Sequence, residues 1–247
     1  MTAQGADARG GKTVEETGCA CRANHQEDAQ ANLVAAKRPV LIVFDLDGTI
    51  ADSRILARES YKRVFALLGY GQITDEQADA FNGPDADEIC RVMGVGPDKR
   101  PLYDQLIAQT DAEFVRTIGK LFAGVPEMLQ ELAPHACLAI LTNGCTEYCD
   151  ANIEVFSLSP YISLHSGYVS GVTKAQRIRQ WARELSAREV ICVGDRGTDI
   201  RHARDAGAYA IGVTYGMGSR EELAGADALC DTPQEVARVC KKRIALA

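Results

Sequence analysis

The sequence contains nothing approaching the roughly 18 continuous apolar residues that a membrane helix needs, and its N-terminus carries no apolar signal-type core. It has no basic excess either. Lys and Arg number 27 against 34 Asp and Glu, for a net charge of −7, where a general nucleic-acid binder shows a basic stripe. Small anionic substrates remain compatible, because a local site can oppose the global field. The nine cysteines form no CxxC pair, and several, such as Cys137 and Cys192, stand in apolar runs. Buried free thiols in a reducing compartment are expected, not a disulfide framework. Cys145 and Cys149 share a helix-like face with no nearby His, and His25, His135, His165 and His202 show no ligand spacing. Gly10-Gly11-Lys12-Thr13 ends like a phosphate-binding P-loop, but Ala6 stands where the first glycine belongs and no strand precedes it. The expectation is a soluble, cytoplasmic protein that binds neither nucleic acid nor membrane.

Residues 1–38 carry few large apolar residues and no sustained period, and read as a flexible tail. The texture changes at Pro39. Val40-Leu41-Ile42-Val43-Phe44 is a continuous apolar run of strand length, the pattern of a strand covered on both faces. Three more runs follow at 138–141, 190–193 and 209–213. Helical patterns precede them, among them Glu127 to Leu132 after Pro126, and Lys174 to Leu185 with Ile178, Trp181 and Leu185. Strands alternating with helices predict an α/β fold with an open, doubly wound parallel sheet. Residues 39–51 and 124–247 would form this core.

Residues 52–123 differ: they give helix signals and no convincing strand. Ile55, Leu56, Val64, Phe65, Leu67 and Leu68 form one apolar stripe, and Thr74 to Gln77 is a capping box. Ile89, Val92 and Met93 mark a short helix ending at Gly94; Leu102, Leu106, Ile107, Phe114, Val115 and Ile118 mark a longer one. A helical insertion at a ligand-bearing strand end is expected to act as a cap or lid.

Ligands of open α/β sheets bind beyond the carboxyl ends of the strands. Asp45 and Asp47 follow the first run; Thr142, Asn143 and Gly144 follow the second; Gly194, Asp195, Arg196 and Asp199 follow the third. Lys174 stands at a helix start after a turn containing Gly171. If these ends converge, four carboxylates crowd one lysine and one hydroxyl. Such crowding calls for a cation, and oxygen-only ligands select a hard ion such as Mg2+. That set suits transfer of a phosphoryl group, with a carboxylate able to serve as nucleophile.

Phe44-Asp45-Leu46-Asp47-Gly48-Thr49, followed in order by Thr142, Lys174 and Asp195-x-x-x-Asp199, resembles the motif series of the haloacid dehalogenase-like superfamily, over about residues 40–238. The likeness is to its phosphatase branch with a helical cap. Asp52-Ser53, Gly212 to Gly218 and Glu221-Glu222-Leu223 resemble phosphoglycolate phosphatase-like members, and Asn82-Gly83-Pro84 resembles a substrate-facing turn of their cap. The resemblance implies an Mg2+-dependent phosphatase that hydrolyses a small phosphorylated metabolite through an aspartyl-phosphate. By position, Asp45 would be nucleophile and metal ligand, and Asp47 general acid and base, with its carbonyl on the metal. Thr142, Lys174 and the Asn143 amide would bind phosphate. Asp195 would complete the metal site and Asp199 would lie beside or on it. One departure is Lys174-Ala175, where the family often has Lys-Pro.

Other readings are open. Asp45-x-Asp47 is not a calcium loop, since it lacks Gly at the sixth position and an acid at the twelfth. Asp195 and Asp199 could be helix N-terminal caps, Lys174 an exposed lysine, and Arg54, Arg58, Lys62 and Arg63 a solvated face. A phosphosugar mutase would share the motifs, but such relatives carry a His where Ala57 stands. Dehalogenating relatives lack an acid at Asp47. A non-catalytic phosphate-binding regulatory module is the third possibility.

Overall fold

The structure is a computed structural model that describes residues 39–247. The tail and the P-loop-like segment lie outside the described residues. Strand β1 (Val40–Phe44) is followed by four helices, α1 (Arg54–Leu67), α2 (Asp75–Asp79), α3 (Ala86–Met93) and α4 (Arg100–Ile118). Then come α5 (Val125–Leu132), β2 (Cys137–Leu141), α6 (Thr146–Val155), β3 (Ile162–Ser166), α7 (Lys174–Glu184), β4 (Glu189–Gly194), α8 (Gly197–Ala206), β5 (Tyr209–Val213), β6 (Ala228–Cys230) and α9 (Pro233–Ile244).

The six strands form one parallel sheet in the order β3-β2-β1-β4-β5-β6. Two of them, β3 and β6, escape the sequence pattern. Ile162-Ser163-Leu164-His165-Ser166 alternates apolar and polar because it lies at one edge, and β6 is a three-residue strand at the other. The central strands are buried on both faces, and their period of two divides the core. Val40, Ile42 and Phe44 point with Leu138, Ile140, Ile191 and Val193 toward α5, α6 and α9. Leu41 and Val43 point with Ala139, Leu141 and Cys192 toward α7 and α8, where Ile178 and Trp181 pack. Each such side chain contributes on the order of 1.5–3 kcal/mol of burial free energy. The free cysteines among the described residues are buried except Cys145, which is half-buried.

The chain moves from β1 outward to β3, then returns to β4 on the opposite side of β1. This reversal opens a crevice at the carboxyl ends of β1 and β4. The helical insertion leaves and returns beside it: the Asp52 amide donates to the Lys120 carbonyl and the Phe122 amide to the Ile50 carbonyl. The insertion has its own core of Val64, Phe65, Leu68, Phe81, Ile89 and Tyr103. Five residues of the expected stripes, Ile55, Leu67, Val92, Leu102 and Ile118, are exposed. A four-helix layer of this size buries a narrower stripe than the apolar pattern supplies. Three of the four basic residues of α1 are partnered: Arg58 pairs with Asp75 and Asp79, Lys62 with Asp75, and Arg63 with Glu113.

Candidate active site

Asp45 is the first residue beyond β1, and its amide continues the ladder by donating to the Val193 carbonyl. Gly48 then turns the chain at φ +77°. A Cβ there would overlap the Asp195 carboxylate, so both conformation and space demand glycine. Gly216 fills the same role from the loop after β5, against Asp195 and the Gly48 carbonyl. The two glycines let three backbone segments close around one buried acid.

Asp195, the residue after β4, is fully buried. Its Oδ2 accepts from the Met217 amide at 2.6 Å, while Oδ1 has no hydrogen-bond partner among the described residues. Burial pushes its pKa up to about 6, against the two amides of Met217 and Gly218. Asp45, Asp195 and Asp199 place one carboxylate oxygen each within 4.8 Å of one another. Burial raises Asp45 well above the usual carboxylate range; Lys174 opposes this, and Asp199, Asp195 and Asp47 add to it. A buried oxygen without a partner, inside an all-carboxylate cluster, is the setting that a hard divalent cation fits.

Lys174 opens α7 as its first residue, behind the Thr173–Gln176 capping box. It is nearly buried and donates to Asp45 Oδ1 at 2.5 Å and Asp199 Oδ1 at 3.0 Å. Burial opposes its charge, but the Asp199 and Asp45 carboxylates win and raise its pKa. Asp199 does two things, since its other oxygen accepts from the Arg196 amide and caps α8. Removing one member of such a buried set leaves an uncompensated charge, which is costly.

Asp47 points to a second set of donors. Thr142, buried at the end of β2, donates to Asp47 Oδ2 at 3.1 Å and accepts from the Gly144 amide. The Tyr148 hydroxyl donates to Asp47 Oδ1 at 2.6 Å. Burial and the adjacent Asp47 carboxylate raise the Tyr148 pKa well above its ordinary value, so it stays a donor. Nothing in the sequence singles out Tyr148, which lies in the first turn of α6 and reaches the site because β2 and α6 meet at an open loop.

The insertion covers the crevice by its turn at 82–84. The Asn143 side-chain amide donates to the Gly83 carbonyl at 2.8 Å, and Arg196 donates to the Asn82 carbonyl. Tyr168 reaches Asp87 at the start of α3. Together the layers form an open cavity of about 660 Å³ lined by Asp45, Asp47, Thr142, Asn143, Lys174, Asp195 and Asp199. All seven residues singled out in the sequence therefore meet in one place. Of the described histidines, His135, His165 and His202, none lines the cavity, and His165 pairs with Asp150; His25 lies outside the described residues.

Residues 42–213 match the family model of haloacid dehalogenase-like hydrolases. The chain belongs to that family. Among curated members it is 27% identical over 209 residues to the phosphoglycolate phosphatase of Vibrio cholerae, covering 76% of this chain and 89% of that one. It is 28% identical over 204 residues to the phosphoglycolate phosphatase of Synechococcus elongatus, covering 79% and 94%. The crystal structure of a predicted phosphatase from Clostridium acetobutylicum shares the fold with a TM-score of 0.72, at 24% identity, over 82% of this chain and 98% of the other. As a haloacid dehalogenase-like hydrolase of phosphoglycolate phosphatase-like type, the chain carries its carboxylate cluster at the reversal point of the sheet. No helix of the described residues is long and apolar enough to cross a membrane.

Proposed function

We propose that the protein hydrolyses a small phosphomonoester through an aspartyl-phosphate at Asp45, with residues 52–123 acting as a cap over the site. The observation that carries this reading is the ion pair of Lys174 with Asp45, 2.5 Å apart, set beside two further carboxylates in one cavity.

Asp45, its carboxylate oriented by Lys174, attacks phosphorus; a P–O bond forms and the ester P–O bond breaks. Asp47 gives its proton to the leaving oxygen, held for this by Thr142 and Tyr148. Lys174, and the Thr142 hydroxyl on turning from Asp47, supply donors to the phosphoryl oxygens as charge shifts between them. In the second half Asp47 takes a proton from water, the water oxygen bonds phosphorus, and the Asp45–phosphorus bond breaks. Inorganic phosphate leaves, and Asp45 and Asp47 return to their starting states. Asp45, Asp195 and the Asp47 carbonyl would hold Mg2+, with Asp199 beside them. When bound, that ion neutralises charge on the phosphoryl group.

Ala57 lines the cavity and has no group that moves a proton, which supports hydrolysis over a mutase. The cytoplasm is the compartment that fits a chain of this kind. The test is Mg2+-dependent release of p-nitrophenol from p-nitrophenyl phosphate. Asp45→Asn should lower kcat by at least roughly a thousandfold while the protein stays folded; an undiminished rate would sink the assignment.

A further inference from the structure

The insertion side of the cavity contrasts with its sheet side in the charges that are free to meet a ligand. Three cationic side chains line the cavity, counted among the described residues: Arg100, Lys174 and Arg196. Each is committed. Arg100 pairs with Asp87 at 2.5 Å and Asp104 at 2.8 Å. Arg196 pairs with Glu222 at 3.0 Å and donates to the Asn82 carbonyl. Lys174 is held between Asp45 and Asp199.

Beyond Arg100 and its partner Asp104, α4 also presents Asp111. It lines the cavity, forms no salt bridge among the described residues, and is near enough to Asp47 for the two charges to repel. The Ser60 hydroxyl is the one described group that favours its charged form. Asp111 is half-buried at the cavity wall, so a ligand in the cavity can reach its carboxylate. Its neighbours in the wall are Tyr61, Tyr103 and Tyr148, which are neutral.

We propose that Asp111 is a specificity residue that accepts a hydrogen bond from the leaving group of the substrate. The substrate is then a phosphomonoester whose organic half carries a hydroxyl or an ammonium donor, not a carboxylate. This rests on the phosphatase reading above and narrows it. A ligand carboxylate would meet Asp111 and Asp47 where each lining cation among the described residues already has a carboxylate partner, whereas a donor would pair with Asp111. The inference separates this chain from its phosphoglycolate phosphatase relatives in substrate while keeping the reaction. Sites built around such a bond reject analogues that lack it more strongly than apolar pockets do.

The experiment compares kcat/KM of the wild-type protein with Mg2+ at pH 8, above the value of about 7 to which burial pushes Asp111. Four esters are assayed: phosphoglycolate, glycerol phosphate, phosphoethanolamine and, as a control, p-nitrophenyl phosphate. A donor-bearing ester should exceed phosphoglycolate by roughly tenfold or more. Preference for phosphoethanolamine identifies an ammonium donor, and preference for glycerol phosphate a hydroxyl. In Asp111→Asn the ratio of the preferred ester to phosphoglycolate should fall to within about threefold of unity. Phosphoglycolate turned over as fast as the donor esters overturns the inference and leaves the phosphatase reading standing. An unchanged ratio in Asp111→Asn overturns the role of Asp111. No turnover of any ester, the control included, overturns the phosphatase reading and the inference with it. The wild-type panel decides the substrate class even if the variant does not fold.

Discussion

The sheet crevice and the helical insertion use charge in opposite ways. In the crevice, Lys174, Asp45 and Asp199 are about nine-tenths buried and share their hydrogen bonds. In the insertion, Arg58, Lys62 and Asp75 meet at a wet surface and hold α1 to α2. The pairings look alike on paper, but their consequences differ with dielectric. Water screens the second set, while the first set is bound by backbone segments that cannot move apart. The crevice is rigid because strand ends and glycine contacts over-determine it. The insertion has a small core of its own, but Leu56 and Val115 also pack into the core under the sheet, beside polar contacts at Gly83, Asn82 and Asp87. The contrast is between a buried set of shared charges at the strand ends and a solvent-facing set on the helical layer.

The comparison can be tested by substitutions in each region. The largest effect is expected from Gly48→Ala, which forces a Cβ into the Asp195 carboxylate at a positive φ. Phosphatase activity should fall by at least roughly a hundredfold and the melting temperature by several degrees; near-normal turnover would show that the crevice is less constrained than its geometry. Tyr148→Phe comes next. It removes one of the two described side-chain donors to Asp47 and should lower kcat about tenfold with little change in KM, since Tyr148 positions the acid and does not hold the ester. A change confined to KM would move Tyr148 from positioning to binding.

Asp111→Asn tests the insertion side through stability. Burial raises Asp111 from 3.8 to about 7, so the folded state binds a proton that the unfolded state has already lost across that window. Stability linked to this group is therefore present below the unfolded value and lost as pH rises through 7. The variant lacks that loss, and its melting temperature relative to wild type should climb by about 3 °C between pH 5 and pH 8; a flat difference would mean that Asp111 is well solvated. The smallest effect is expected from Arg58→Ala, where the melting temperature should shift by only about 1 °C and less still at high salt. A large, salt-insensitive drop would erase the contrast between the two regions.

Much of this site could be read from the chain because its chemistry sits at strand ends. A buried strand announces itself as an apolar run, and the residue after the run is where a parallel sheet delivers side chains to ligand. Asp45, Thr142 and Asp195 were legible for that reason, and Lys174 through the turn and helix start around it. The edge strands β3 and β6 were not, since a half-covered or three-residue strand leaves no continuous apolar signal. Tyr148 and Asp111 were not legible either. Each lies within a helix whose apolar pattern explains its neighbours, and a polar residue there reads as surface until the facing layer is known. The same limit explains why Ile55 and Leu67 read as core.

By itself the sequence determined the alternation of strands and helices, the insertion after β1 and the order of the acids, lysine and threonine. Those features are local or periodic, and propensity and pattern encode them without reference to distant contacts. Only the tertiary structure decided which groups lack partners. Among the described residues, the orphaned oxygen of Asp195, the ion pairs of Arg100 and Arg196, and the lack of a salt bridge at Asp111 depend on which segments folding brings together. Whether a charge is satisfied is a property of the surroundings that folding assembles, and no residue carries that information alone.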